Sequence, residues 1–342
     1  MKKIIYLLLL IPFFNIKLQA QDPAFSQFFA SPLTLNPALT GKFNGDVRVA
    51  GNYRDQWPTI NNAFITSTIS VDMPVLQKRL PENNTWGVGL MAMTDKTASG
   101  ALNSNYISLS TSYHISVDQD GYHQIGVGFQ GTYASKILDG TKLHFEDQLD
   151  QQGGWTLPSS ESVAGHQVSL NYFDMNAGLL YNGTTTGANN FYFGTSLYHI
   201  NSPKESFLGN DQYTLHPRFT VHGGASLPVN TDGYVHFSGL YSRQDNATNI
   251  VLGGAYSINV NNNDIESPTN VYFGSWVRFN NVTDALIPYV GIDYGSFTMG
   301  LSYDINISSL KTASQSQGGV EISLVYIKKS TNGKKPIPCP KF

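Results

Sequence analysis

From about residue 46 to residue 327 the chain is a succession of short segments in which every second residue is apolar or aromatic, with turn residues between them. In one such segment Ile125, Val127, Phe129 and Tyr133 alternate with Gln124, Gly126, Gly128, Gln130 and Thr132. Phe297, Met299, Leu301, Tyr303 and Ile305 alternate in the same way with Thr298, Gly300, Ser302 and Asp304, as do Val320, Ile322, Leu324 and Tyr326 with Glu321, Ser323 and Val325. Successive side chains of a strand point to opposite faces, so each segment has one apolar and one polar face. Segments of about ten residues repeated in this pattern predict an all-β chain closed into a transmembrane β-barrel, apolar face to lipid and polar face to the lumen.

Alternation and turn residues delimit strands near 46–54, 63–72, 85–93, 104–117, 121–134, 171–181, 190–199, 217–228, 233–243, 248–260, 269–279, 285–294, 296–305 and 318–327. Fourteen antiparallel strands put both barrel ends on one side, the periplasmic side for a bacterial barrel. The tight connections at Asp118 to Gly121, Pro228 to Gly233 and Gly295-Ser296 then fall on the periplasmic side, and the longest, Ser135 to Ser169 and Asn201 to His216, on the outer side. The Met73 to Asn84 connection is long for a periplasmic turn. Two tandem β-sandwiches would also alternate, but would need a central linker and a more charged outer face.

Composition agrees with an outer-membrane location. Charged residues make up 13% of the chain, while Tyr and Phe number 19 each, a balance suited to a lipid face bordered by aromatic girdles. Lys2 and Lys3 precede an apolar run from Ile4 to Phe14, and Leu18-Gln19-Ala20 offers a cleavage site, so residues 1–20 read as a signal peptide. That run is too short to cross a ~30 Å hydrocarbon core as a helix. Without Lys2, Lys3 and Lys17 the chain keeps 18 basic against 24 acidic residues, which disfavours nucleic acid as a partner. The single Cys339 excludes an internal disulfide and a cysteine-based metal site.

No catalytic, cofactor or metal constellation emerges. His114 and Ser116 share one face of a strand, as a base and nucleophile would, but period 2 alone produces such pairs and no orienting carboxylate is recognisable. His144, Glu146, Asp147 and Asp150 lie in the longest loop and read as a solvated acidic loop before a metal site. Asp118 to Gly121 has the residues of a hairpin turn. Gly223-Gly224 and Gly253-Gly254 read as relief of crowding inside the barrel.

The two ends carry further expectations. Residues 21–45 are too rich in proline for a helix and too apolar for a free tail: Phe25, Phe28, Phe29, Leu33, Leu35 and Leu39 need burial, and Pro23, Pro32 and Pro37 direct the path. The expected place is the periplasmic mouth of the barrel (46–327), as a plug-like segment over a wet lumen in which Gln130 and Ser302 tolerate change. Residues 328–342 hold Lys328, Lys329, Lys334, Lys335 and Lys341 without an acid, stiffened by Pro336, Pro338 and Pro340. This basic periplasmic tail reads either as a collar against lipid phosphates or as a stiff rod that presents Cys339 and Phe342 as apolar groups for docking.

The stretches Gln21-Asp22-Pro23-Ala24-Phe25-Ser26-Gln27-Phe28-Phe29, Pro32 to Gly41 with Asn36-Pro37-Ala38 inside it, Tyr53-Arg54-Asp55-Gln56-Trp57-Pro58, Phe173 to Tyr181 and the terminal Cys339-Pro340-Lys341-Phe342 resemble the PorP/SprF family of Bacteroidetes outer-membrane proteins tied to type IX secretion and gliding. The resemblance implies a non-enzymatic barrel working with the type IX machinery, whose termini the even strand count puts in the periplasm. It also implies two kinds of partner: a large secreted surface protein with a C-terminal sorting domain, and periplasmic secretion or gliding components, including peptidoglycan-associated ones. Candidate partner-binding or plug residues are Phe25, Phe28, Phe29, Asn36, Pro37, Arg54, Trp57, Lys334, Lys335, Cys339 and Phe342; Trp57 reads equally as an aromatic-belt residue. The alternative is a diffusion channel or hydrophobic-solute transporter whose N-terminal segment is a hatch. For a porin eyelet the charged candidates are few: Arg48, Arg54, Arg218, Arg243, Arg278 and Glu321. A lipid hydrolase would rest on His114 alone.

Overall fold

A computed structural model describes residues 22–58, 63–209, 213–261, 269–280, 285–308, 311 and 317–329. Fourteen strands form one sheet: β1 (Val47–Gln56), β2 (Phe64–Val75), β3 (Thr85–Thr97), β4 (Leu102–Ser116), β5 (His123–Asp139), β6 (Gln167–Gly183), β7 (Asn190–Tyr198), β8 (Arg218–Pro228), β9 (Gly233–Gln244), β10 (Ala247–Asn259), β11 (Thr269–Asn280), β12 (Ala285–Tyr294), β13 (Phe297–Asn306) and β14 (Gln317–Lys328). Each pairs antiparallel with its sequence neighbours, and β1 closes on β14 from Val47 opposite Lys328 to Gln56 opposite Gly319. Closure leaves no sheet edge, which a barrel in lipid requires because no water is there to satisfy free backbone groups.

The alternation sorts side chains as the sequence predicts. In β5, Ile125, Val127, Phe129 and Tyr133 are exposed on the outside while Gln124, Gly126, Gly128, Gln130 and Thr132 are buried inside. In β13, Phe297, Met299, Leu301 and Tyr303 face out; Ser302 and Asp304 face in. Strand boundaries differ most at β5 and β6, which run beyond the expected 134 and start before the expected 171, so they rise together as a longer hairpin. Their outward-phase residues there, Ser135, Gln167, Ser169 and Asn171, are more polar than a lipid-facing stretch, which is why alternation alone stopped short.

We call the end where β1 begins and β14 finishes the near end, and the opposite one the far end. The long connections 140–166 and 199–217 are at the far end; the turns around Asp118 to Gly121, Val229 to Asp232 and Gly295-Ser296 are at the near end. The 140–166 loop is internally braced. Asp150 accepts from the backbone of Gln152 and Gly154 and from Thr156, Asp147 accepts from Ser159 and Ser160, and His144 stacks on Trp155.

The bore is not the wet channel expected. Residues 22–43 run inside it along its length, against an expected position at the near mouth. Asp22 lies against His199, Arg218 and Gln244 at the far end, and Gly41 and Lys42 reach Asp72 and Gln124 close to the near end before Asp46 joins β14. The physical reason lies on the barrel's inner face, which is not uniformly polar. Leu240, Val251, Tyr272, Trp276, Ile287 and Tyr289 point inward and form one buried cluster with Phe28, Leu35, Ala38 and Leu39, with Phe29 packed against Trp276 and Tyr289. Phe25 and Leu33 are buried as well.

The two faces therefore respond differently to charge. Phe129→Arg, on the outside near mid-strand, is expected to cost roughly 2–4 kcal/mol of stability in lipid. Urea unfolding in vesicles measures this. Ser302→Arg is not the mild change a water-filled lumen would give, because Ser302 is 2% exposed and bonds Gln27; it is expected to expel the first residues of the segment, read as new protease cleavage near Phe25.

Candidate functional site

The candidate site is the interface between residues 22–43 and the inner wall, built around three single turns of helix. Pro32 and Pro37 stand first in two of them, Pro32–Leu35 and Pro37–Leu39, where a fixed φ suits the helix and a missing N–H costs nothing. Asn36, between them, is extended, as the residue before a proline prefers. Its side chain accepts from Ala38 N at 2.8 Å and caps the second turn, while its Nδ2 donates to the carbonyls of Leu179 and Thr195 at 3.0 and 3.2 Å and lies 3.0 Å from His222 Nε2. One amide thus ties the turn to β6, β7 and β8.

Small residues make that approach possible. A Cβ on Gly128 would collide with the backbone of Pro37 and Ala38, one on Gly178 with Asn36 Oδ1, and one on Gly87 with the carbonyl of Thr40. Beside this groove His114 Nε2 lies 2.8 Å from Ala38 O, Thr40 Oγ1 donates to Pro37 O and lies 3.0 Å from Ser110 Oγ, and Ser112 donates to Thr40 O at 2.6 Å. His114 is fully buried by this segment and Ser116 donates to Asp118, so the pair shows no shared nucleophile geometry.

Three groups of matched charges tie the segment to the wall of the bore. Near the near end, the register sets Arg48 opposite Asp72; Nε and Nη2 reach the two carboxylate oxygens at 2.9 and 2.7 Å, Nη2 also donates to Leu39 O, and Asp72 accepts from Gly41 N. Towards the far end, Arg54 stands opposite Glu321, and Asp304 accepts from Arg54 at 3.0 Å and Arg278 at 2.7 Å. Ser26 and Gln27 complete this group through their backbone N–H groups, both 2.8 Å from Glu321, while Arg54 also donates to the carbonyl of Ala24. Two cations against two carboxylates, with the segment's own dipoles filling the remaining valences, keep the buried group neutral.

The third group is at the far mouth. His199 Nε2 lies 2.6 Å from Asp22 Oδ2 and Nδ1 lies 2.9 Å from Asp174; Arg218 Nε is 3.4 Å from Asp22, its guanidinium 4.4 Å from the Tyr198 ring centre. Burial works against ionising Asp22, but the charges of His199 and Arg218 outweigh it and hold the carboxyl well below the usual range. Burial likewise disfavours the imidazolium of His199, yet Asp22 and Asp174 raise its pKa to about 9.

Of the sequence candidates, Phe25, Phe28, Asn36, Pro37 and Arg54 meet in this interface and Phe29 borders it. Trp57 instead sits past β1, its ring against Phe64 and its backbone N–H bonded to Gly318 O. Lys334, Lys335, Cys339 and Phe342 lie outside the described residues. Among the eyelet candidates Arg48, Arg54, Arg218, Arg278 and Glu321 do face the bore, whereas Arg243 is exposed and caps Asp245 O. Asp22, Asp72, His199 and Asp304 were missed; the available signal was an acid on the inward phase of a strand, as at Asp72 and Asp304.

Two outcomes test this geometry. Gly178→Val is expected to push the Asn36 turn off the wall while leaving the barrel intact, read as maleimide labelling of a cysteine placed at Ala38 in a Cys339→Ser background. The His199 contact contributes fully below the unfolded imidazole pKa of ~6.5 and is lost as pH rises through about 9, because the folded pKa is the raised one. An imidazole NMR titration with its midpoint near 6.5 would contradict the contact.

A family model described as type IX secretion system membrane protein PorP/SprF matches residues 17–326. No curated protein matches. Among solved structures, the chain is similar to the CymD monoaromatic hydrocarbon channel, with 14% identity, TM-score 0.46 and coverage of 91% of this chain and 95% of that one. It is also similar to a Pseudomonas aeruginosa FadL homologue, with 10% identity, TM-score 0.44 and 85% and 92% coverage. A bacterial polysaccharide outer membrane secretin gives 9% identity, TM-score 0.41 and 84% and 99% coverage. With nearly the whole closed barrel inside the family match, this chain belongs to the PorP/SprF family of type IX secretion system membrane proteins.

Proposed function

We propose that the chain is a non-enzymatic outer-membrane barrel of the type IX apparatus that supports export or surface anchoring of a secreted partner protein, with residues 22–43 as a plug that keeps the bore shut. The filled lumen carries this reading. Buried apolar contacts, a glycine-lined groove and matched charges hold the segment from one end of the bore to the other, which suits a barrel that presents a surface better than one that conducts. The near end faces the periplasm and the far end, with the 140–166 and 199–217 loops, faces outward, following the rule that outer loops are the longer ones. In this orientation Asp22 lies just inside the outer mouth. The secreted partner, a large surface protein with a C-terminal sorting domain, meets the far-end loops, while the 328–342 tail, through Lys334, Lys335, Cys339 and Phe342, meets periplasmic secretion or gliding components.

The alternative reading, a diffusion channel or hydrophobic-solute transporter in which the segment is a hatch, draws on two clefts that flank Asp22 and Pro23 at the far end. Deletion of residues 22–41 separates the two. For a plug on an export barrel, the deletion variant inserts, admits small solutes and releases less partner to the cell surface, while the intact protein is silent in planar bilayers. Steady conductance by the intact protein, or wild-type partner display by the deletion variant, would count against the proposal. For orientation, a cysteine at Ser159 is expected to react with an impermeant maleimide on intact cells and one at Asn230 to react only after permeabilisation; the reverse pattern overturns the assignment.

A further inference from the structure

Asp22 occupies a site that is more specific than closure requires. Arg218 is held by its stack on Tyr198, and its Nη2 lies 3.4 Å from Thr34 O, so its buried Nε stays within 3.4 Å of Asp22 Oδ2 with no hydrogen bond of its own. His199 comes to the same oxygen, oriented from behind by Asp174, and Gln244 Nε2 lies 3.4 Å from the other oxygen. The two cations face two carboxylates, Asp174 and Asp22, and the neighbouring Lys136 is balanced by its own partner, Glu205. If Asp22 leaves, the pocket keeps a single uncompensated positive charge in a buried setting, which favours a monoanion over a dianion.

The space beside the carboxylate has its own chemistry. A cleft on one side of Asp22 and Pro23 is lined by Met91, Met93, Tyr106 and Tyr172, with Gln130 and Asn176 among its polar side chains, and reaches His199 and Arg218. Methionine and tyrosine side chains give an adaptable apolar surface for a ring or short aliphatic body. The second cleft, lined by Phe25, Phe28 and Leu240 on one side and by Thr220, Ser242 and Asn249 on the other, also reaches Arg218, so Asp22 stands between two clefts that share one cation.

We propose that Arg218 and His199 form a binding site for an organic monocarboxylate with an apolar body, and that Asp22 is an intramolecular occupant which such a ligand displaces. Displacement frees the first residues of the segment at the far mouth, so the ligand couples to the fit of the segment in the bore. The site stands on this geometry and goes beyond the export reading: a barrel that fails the partner-display test can still pass the one below.

The experiment is calorimetric titration of the detergent-purified full-length chain with phenylacetate, and with uncharged phenylacetamide as the matched control. The wild type is expected to bind phenylacetate weakly and Asp22→Asn to bind it at least tenfold more tightly. In the Asp22→Asn background, either Arg218→Gln or His199→Gln is expected to weaken binding at least tenfold. Met93→Trp in that background fills the cleft without touching a charge and is expected to weaken binding to a similar degree. Each variant is scored only with the heat-modifiable mobility of a closed barrel, and Met93→Trp serves if a charge variant lacks it. Equal affinity of Asp22→Asn and wild type, equal binding of the acid and the amide, or indifference to Arg218→Gln, His199→Gln and Met93→Trp would overturn the proposal.

Discussion

The pairing of β1 with β14 is the constraint from which the rest follows. A strand in lipid cannot leave backbone donors and acceptors unpaired, and with Val47 to Gln56 bonded to Gly319 to Lys328 no strand of the sheet has a free edge. Closure at fourteen strands then creates an interior too wide for its own side chains to fill. The chain supplies the filling from residues 22–43, tethered to the first strand, so the loop-closure cost of bringing that segment into the bore is small.

Filling the bore changes what the inward residues must do. Arg48, Arg54, Arg218 and Arg278 would be solvated in an open channel; here all lie against the segment or the acids beside it, and each stands within reach of a carboxylate. A buried ion pair is costly to break and weak as a net source of stability. Its value here is registration: Leu39 O meets Arg48, Ser26 N and Gln27 N meet Glu321, and Asp22 Oδ2 meets His199 and Arg218, each at its own height in the barrel. The apolar cluster around Trp276 and Phe28 supplies attraction without position, and the charged groups supply position.

The two ends of the segment are held differently. The Asn36 to Gly41 turn lies in a glycine-lined groove where an added methyl group has no room. Asp22 is held by two charged side chains beside open clefts. The first is a packing constraint that only expulsion relieves, and the second an electrostatic contact that another anion can replace. A PorP/SprF barrel that responds to something at its loop-bearing end would be expected to yield first at Asp22.

Strand number, strand phase and the apolar outer face were legible in the residues alone, because in a membrane barrel each strand faces the same two environments and the period-2 pattern repeats that fact fourteen times. The exceptions mark where this logic stops. The outward-phase Ser135 and Ser169 mark where β5 and β6 pass the lipid and alternation no longer reports a membrane, and Ile287, Tyr289 and Trp276 point inward although apolar, because their environment is the segment and not water. The need of Phe25, Phe28, Leu33 and Leu39 for burial was equally plain, but the place of burial was not. Asn36 with Leu179, Asp304 with Arg54, and Asp22 with His199 are brought together only when fourteen strands close into a ring, and only that ring decides which residues far apart in sequence stand at the same height across the bore.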